Sequence, residues 1–143
     1  MQIKRSASAI WHGGIKDGKG AISTGSGALK EYPYGFAARF EGQPGTNPEE
    51  LLGAAHAGCF TMALSLILTE EKLGVEELST TAEVTLEKLD TGFTITAVHL
   101  NLKARVTGVD AAKFAELAQK AKENCPLSKV IKANITMTSQ LLS

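Results

Sequence analysis

The chain has 143 residues, and fifteen lysines and arginines balance fifteen aspartates and glutamates; without a basic cluster or interleaved aromatics, a nucleic-acid surface is excluded and no polyanionic partner is implied. That length makes a single domain, residues 1–143, with room for a core of its own. Two widely separated cysteines, and an N-terminus that alternates where a secretory signal would run apolar, predict a cytoplasmic protein whose thiols are reduced or form a transient redox pair.

From Gln2 to Trp11 the sequence alternates, with Ile3, Ala7, Ala9 and Trp11 on one side and Arg5 interrupting, which predicts a half-buried strand. Gly13-Gly14 and Asp17-Gly18 mark a turn, Lys19 to Thr24 is a short strand, and Gly25-Ser26-Gly27 ends it. Tyr32-Pro33-Tyr34-Gly35 reads as a loop and Phe36-Ala37-Ala38-Arg39-Phe40 as a third strand, closed by Gly42-Gln43-Pro44-Gly45. These glycine-rich loops lack the spacing and the Lys-Ser/Thr pair of a phosphate-binding loop, so they are turns.

Next comes the stretch that organises the chain. Asn47 is a good helix N-cap, Pro48 suits the first helical position, and Glu49 and Glu50 oppose the positive end of the helix dipole, with Glu50 where a capping-box acid belongs. From Leu51 to Thr69 no residue carries a formal charge, so the helix is wrapped by other structure. The run is long enough to span a membrane. It is nevertheless rich in Gly, Ala, Ser and Thr, contains His56 and is flanked by acids, which points to a central helix in a soluble fold with no membrane partner. Gly53, Ala54, Ala57 and Gly58 form small pairs four residues apart that would let another helix approach closely. Cys59 lies in the middle of this helix, where a cysteine is ordinarily a small core residue.

The helix is expected to stop near Leu73, with Gly74 as its terminating residue. Ser79 to Leu89 alternates as a strand with one wet face, and Asp90-Thr91-Gly92 turns into Phe93–Val106, where a change of phase at Ala97-Val98 predicts a β-bulge. Asp110 caps a helix from Ala111 to about Asn124, with Phe114, Leu117, Ala118 and Ala121 on its apolar face. Pro126 then fits the first position of a short helix and leaves Cys125 as its N-cap, where free N–H groups and the dipole favour a thiolate; the plainer alternative is a cysteine that merely tolerates a cap. Asn134 to Leu141 closes the chain as a strand with Ile135, Met137 and Leu141 inward. The fold class is α+β: an antiparallel sheet, made of the N-terminal meander and the three later strands, wrapped against the long central helix and the second helix.

Several of these stretches, taken in order, resemble the OsmC/Ohr family end to end: Arg39-Phe40-Glu41-Gly42, the helix entry Gly45-Thr46-Asn47-Pro48-Glu49-Glu50-Leu51, Ala55 through Cys59-Phe60, and Asn124-Cys125-Pro126. Tyr34-Gly35-Phe36 and the form of the helix entry are closer to the osmotically inducible protein C branch than to the organic hydroperoxide resistance branch. The resemblance implies an OsmC-like fold in an intertwined homodimer with both central helices inside and the active sites at the subunit interface. An all-round apolar helix in so small a chain agrees, since six strands hardly cover every side of it. It also implies a thiol-dependent peroxidase for oxidative and osmotic stress defence, with no metal or flavin cofactor, that reduces organic hydroperoxides and, less efficiently, hydrogen peroxide.

The chemistry implied by the family suits these residues. An unperturbed thiol is only a few per cent ionised at neutral pH, so the attacking Cys59 needs activation; the family assigns this to Arg39, whose permanent charge also stabilises the leaving oxygen, and assigns Glu49 to hold Arg39. Attack yields a sulfenic acid at Cys59, Cys125 condenses with it to a disulfide, and an external dithiol reduces that bond. Without the resemblance, Arg39 would read as a solvated charge and Glu49 as a residue serving the helix dipole. His56, three residues before Cys59, could join the cysteines on zinc, but structural zinc sites bring four ligands in close pairs, so a packed or interface histidine is the better reading. Phe36, Phe60 and Met62 hint at bulky organic substrates, although packing accounts for them equally. Glu49 and Cys59 are ten residues apart, about 15 Å along one helix. If Arg39, Glu49 and Cys59 act together, the simplest arrangement draws Arg39 and Glu49 from one protomer and the cysteines from the other; reach by the long Arg39 side chain within one chain is the alternative. The competing function class is non-catalytic, a thiol redox sensor or a small-ligand-binding dimer, and turnover separates it from an enzyme.

Overall fold

The computed structural model describes residues 1–142, has the expected α+β composition, and divides into two compact units, Met1–Leu51 and Leu52–Ser143. In the first unit, β1 (Ala7–His12), β2 (Lys19–Thr24) and β3 (Tyr32–Tyr34) form an antiparallel sheet in that order. β2 matches its sequence reading. Tyr32–Tyr34, read as a loop, is instead an edge strand, the place in a sheet where Pro33 needs no N–H to donate. The rings of Trp11 and Tyr34 meet edge to face at 5.5 Å over β2 at Gly20, where an added Cβ would collide with both.

The third predicted strand is corrected. Phe36–Phe40 is a short helix, α1, in which Arg39 N–H donates to Gly35 O at 3.0 Å and Glu41 N–H to Ala37 O at 2.9 Å. Five residues this rich in apolar side chains fit either period. What decides is that a helical turn stacks Phe36 on Phe40, four residues on, with ring centroids 5.0 Å apart.

Helix α2 (Pro48–Glu70) begins at the end of the first unit and continues into the second. Asn47 caps it, its Oδ1 accepting from Glu50 N–H at 2.8 Å, while the Glu50 carboxylate turns to Thr46 Oγ1 at 2.7 Å instead of closing a capping box. The helix ends before Gly74. Lys72 takes the left-handed conformation (φ 60), Lys72 N–H donates to Thr69 O and Leu73 N–H to Leu68 O, and Leu73 packs onto the core that holds Leu68. This is a Schellman ending whose apolar pair, Leu68 and Leu73, fixes the position of the turn more firmly than the nearby glycine does.

In the second unit, β4 (Gly74–Leu89) and β5 (Gly92–Thr107) form a long antiparallel hairpin, and β6 (Asn134–Leu142) lies parallel to β5. Two features differ from the sequence reading: the strands form two separate three-stranded sheets, and the last strand is not antiparallel. The reason lies in the connection, because α3 (Ala111–Asn124) and α4 (Pro126–Val130) cross over between β5 and β6, and a helical crossover returns the chain in the same direction. The bulge occurs, with Thr96 as the extra residue between the Ile95–Leu86 and Ala97–Thr85 pairs, one position before the expected slip. Phe60, Leu64 and Leu68 of α2, the inward face of β5 from Val98 to Val106, and Phe114, Leu117, Ala118 and Ala121 of α3 make one buried core. The opposite side of α2 is open in the single chain: Ala54, Gly58, Met62 and Leu66, spaced four apart on one face, are exposed, Met62 by 76% and Leu66 by 61%.

Candidate active site

The second unit brings the two cysteines together. Both are free thiols; Cys59 is half-buried on α2 and Cys125, the N-cap of α4, is fully buried, with their side chains in direct contact. The start of α4 serves both sulfurs. Pro126, in the first position, has no N–H to offer, the next N–H, of Leu127, acts on the Cys59 thiol, and that of Ser128 reaches Cys125 Sγ at 3.4 Å. Burial pushes the Cys59 thiol up, the Leu127 N–H pulls it part of the way back, and the adjoining Cys125 raises it further. Cys59 also opens onto a cavity of about 630 Å³ whose other walls include Met62, Ala63, Leu66 and Ile67 of α2 and Ala121 of α3. Of the residues that hinted at an organic substrate, Met62 lines this cavity, whereas Phe60 is a core residue and Phe36 belongs to the first unit.

The first unit brings the other expected pair together. Arg39 Nε donates to Glu49 Oε1 at 2.8 Å, an ion pair whose Glu49 side is nearly buried while the Arg39 side chain remains 35% exposed. Glu49 is therefore more than a dipole partner, because one carboxylate oxygen is committed to the guanidinium while Oε2 is buried with no partner among the described residues. The Arg39 guanidinium lies 5.2 Å from the Phe40 ring centroid and lines a cavity of about 330 Å³ walled by Trp11, Ile15, Tyr34, Phe36 and Phe40, with no other charged residue lining it among the described residues. The catalytic candidates thus form two pairs, one in each unit.

Of two further residues at the thiol pair, His56 reads from the sequence only as a packed or interface histidine and Ser128 escaped the sequence reading. His56, fully buried, bonds through Nε2 to Ser128 Oγ at 2.9 Å, and Ser128 Oγ in turn lies 3.1 Å from Cys125 Sγ. The available signal was positional: His56 lies one helical turn before Cys59, and Ser128 one turn after Cys125.

Comparison with known proteins gives the family of the chain. The family model described as OsmC-like protein matches residues 40–140. Over all 143 residues, and the full length of the relative, the chain is 53% identical to peroxiredoxin OsmC of Escherichia coli strain K12. It is 35% identical over 101 residues, 70% of this chain and 69% of the other, to an organic hydroperoxide resistance protein of Xanthomonas axonopodis pv. citri. The crystal structure of the organic hydroperoxide resistance protein OhrB of Bacillus subtilis matches with a TM-score of 0.68 and 30% identity, covering 96% of this chain and 98% of that one. An OsmC-like protein from Mycoplasma pneumoniae, at 14% identity, shares the fold with a TM-score of 0.77 over the whole of both chains. With a family match across most of its length and a relative alike from end to end, the chain belongs to the OsmC family.

Proposed function

We propose that the protein is a cysteine-based peroxidase that reduces organic hydroperoxides, and hydrogen peroxide less efficiently. The observation that carries this reading is the contact between the Cys59 and Cys125 side chains beside a largely apolar cavity, rimmed by Glu70, Lys120 and Asn124. The Cys59 thiolate attacks the outer peroxide oxygen, the O–O bond breaks, an alkoxide leaves to be protonated as the alcohol, and Cys59 becomes a sulfenic acid. Cys125 attacks that sulfur and expels hydroxide, and an external dithiol reduces the resulting disulfide. Names of the relatives, peroxiredoxin and organic hydroperoxide resistance protein, support the substrate class.

Burial, with a further push from the adjoining Cys125, holds the Cys59 thiol above its ordinary range, so the reaction calls for a cation at the sulfur. Arg39, held by Glu49, is our candidate, and the ten-position separation of Glu49 and Cys59 along α2 favours its delivery from a second copy of the chain. The exposed apolar side of α2 supports a homodimer with these helices inside. In this reading Cys59→Ser loses peroxide consumption outright. Cys125→Ser still consumes about one equivalent and then rests as a sulfenic acid that dimedone traps. Rapid stoichiometric reduction by Cys59→Ser alongside an inert Cys125→Ser would reverse the assignment.

A further inference from the structure

The peroxidase reading leaves a buried histidine without a task. His56 Nδ1 has no partner among the described residues, while Nε2 bonds to Ser128 Oγ. A neutral imidazole carries one N–H, and a buried N–H without an acceptor is rarer and more costly than a lone pair without a donor. The proton therefore sits on Nε2, so His56 donates to the Ser128 hydroxyl. That hydroxyl, its oxygen already engaged as an acceptor, directs its own proton to the other atom within reach, Cys125 Sγ at 3.1 Å. Ser128 N–H approaches the same sulfur at 3.4 Å, so two donors from one residue converge on it.

From this polarity we infer that Ser128 is a further catalytic residue and His56 its positioning residue, together donating to the Cys125 sulfur and aiming it at Cys59. The inference rests on the peroxidase reading and specifies its second step. Cys125 loses its proton and attacks the Cys59 sulfur of the sulfenic acid. The S–S bond forms as the S–O bond breaks, the electron pair leaves on oxygen as hydroxide, and hydroxide with the released proton makes water. Each sulfur ends in the disulfide state, the sulfenic sulfur reduced and the Cys125 sulfur oxidised by it. His56 has no part in the first step, because its contact reaches Cys125 through Ser128 and not the peroxide.

The test uses the full-length reduced protein and one equivalent of cumene hydroperoxide, with sulfenic acid followed by dimedone capture and disulfide by mass under non-reducing conditions. Ser128→Ala and His56→Leu should form the Cys59 sulfenic acid at the wild-type rate but close the disulfide roughly 10- to 100-fold more slowly, the loss of one hydrogen bond to a charged acceptor. His56→Gln, which can place an amide N–H near the position of Nε2, and Ser128→Thr, which keeps the hydroxyl, should recover most of the rate; a general-base histidine would not be rescued by glutamine, and a merely structural one would slow both steps alike. Disulfide closure at the wild-type rate in Ser128→Ala overturns the proposal, as does equal slowing of both steps. Diamide oxidation separates failure of this inference from failure of the peroxidase reading, since it joins the two thiols without peroxide. If cumene hydroperoxide leaves wild-type Cys59 unmodified, the peroxidase reading fails. Slower diamide closure in Ser128→Ala would then still support the positioning of Cys125, and unchanged closure would remove it.

Discussion

At the scale of single residues, the site sets two sulfurs in different environments and leaves a neutral histidine between the core and the second of them. Burial lowers the His56 pKa below its ordinary 6.5. As pH falls below that value the unfolded chain takes up the proton before the folded one, so stability present above about 6.5 is lost progressively on acidification. Other groups titrate in the same range, so the comparison to make is with His56→Gln, which cannot titrate. The wild-type urea midpoint should fall more than that of the variant between about pH 7.5 and 5.5. Equal falls in the two proteins would mean that His56 is not held neutral by its burial.

Among the elements, the end of α2 supplies a prediction. Lys72 holds a left-handed conformation that an L side chain adopts at a penalty, whereas glycine does so freely. Lys72→Gly should therefore stabilise the protein by about 0.5 to 1 kcal/mol, seen as a higher urea midpoint with unchanged slope. A lower midpoint would show that Lys72 contributes contacts outweighing its backbone penalty. The same element shows where sequence reading works. Asn47, Pro48 and the uncharged run from Leu51 defined α2 nearly to its end, and Asp110 with the spacing of Phe114, Leu117, Ala118 and Ala121 defined α3, whose cap Asp110 accepts as expected, Lys113 N–H donating to its Oδ1 at 2.8 Å. These signals are local and redundant. Phe36–Phe40 was misread because five residues hold too little period to separate helix from strand, and the parallel pairing of β6 because its partner is set by the crossover and not by its own alternation. Both cysteines were legible through the family resemblance, but the His56–Ser128 bond joins residues 72 positions apart, which spacing along one chain does not announce.

For the whole molecule, the open face of α2 and the assignment of the two candidate pairs to separate units both bear on assembly. If Arg39 serves a partner's Cys59, co-expressing Cys59→Ser with Arg39→Ala rebuilds one working site in each hybrid dimer from two inactive parents. Random mixing makes about half the dimers hybrid, so activity should recover to roughly a quarter of wild type per protomer. Verified hybrid dimers no more active than the parents would place Arg39 in the same chain as the Cys59 it activates. Catalysis itself, the claim on which the rest depends, is tested most directly by counting turnovers: the purified protein is given excess dithiothreitol and a large excess of cumene hydroperoxide, and peroxide loss is followed to completion. Our account predicts many equivalents consumed per protomer, abolished by Cys59→Ser. Consumption that stops at about one equivalent per thiol pair, with the dithiol still abundant, would contradict it and leave a redox sensor in its place.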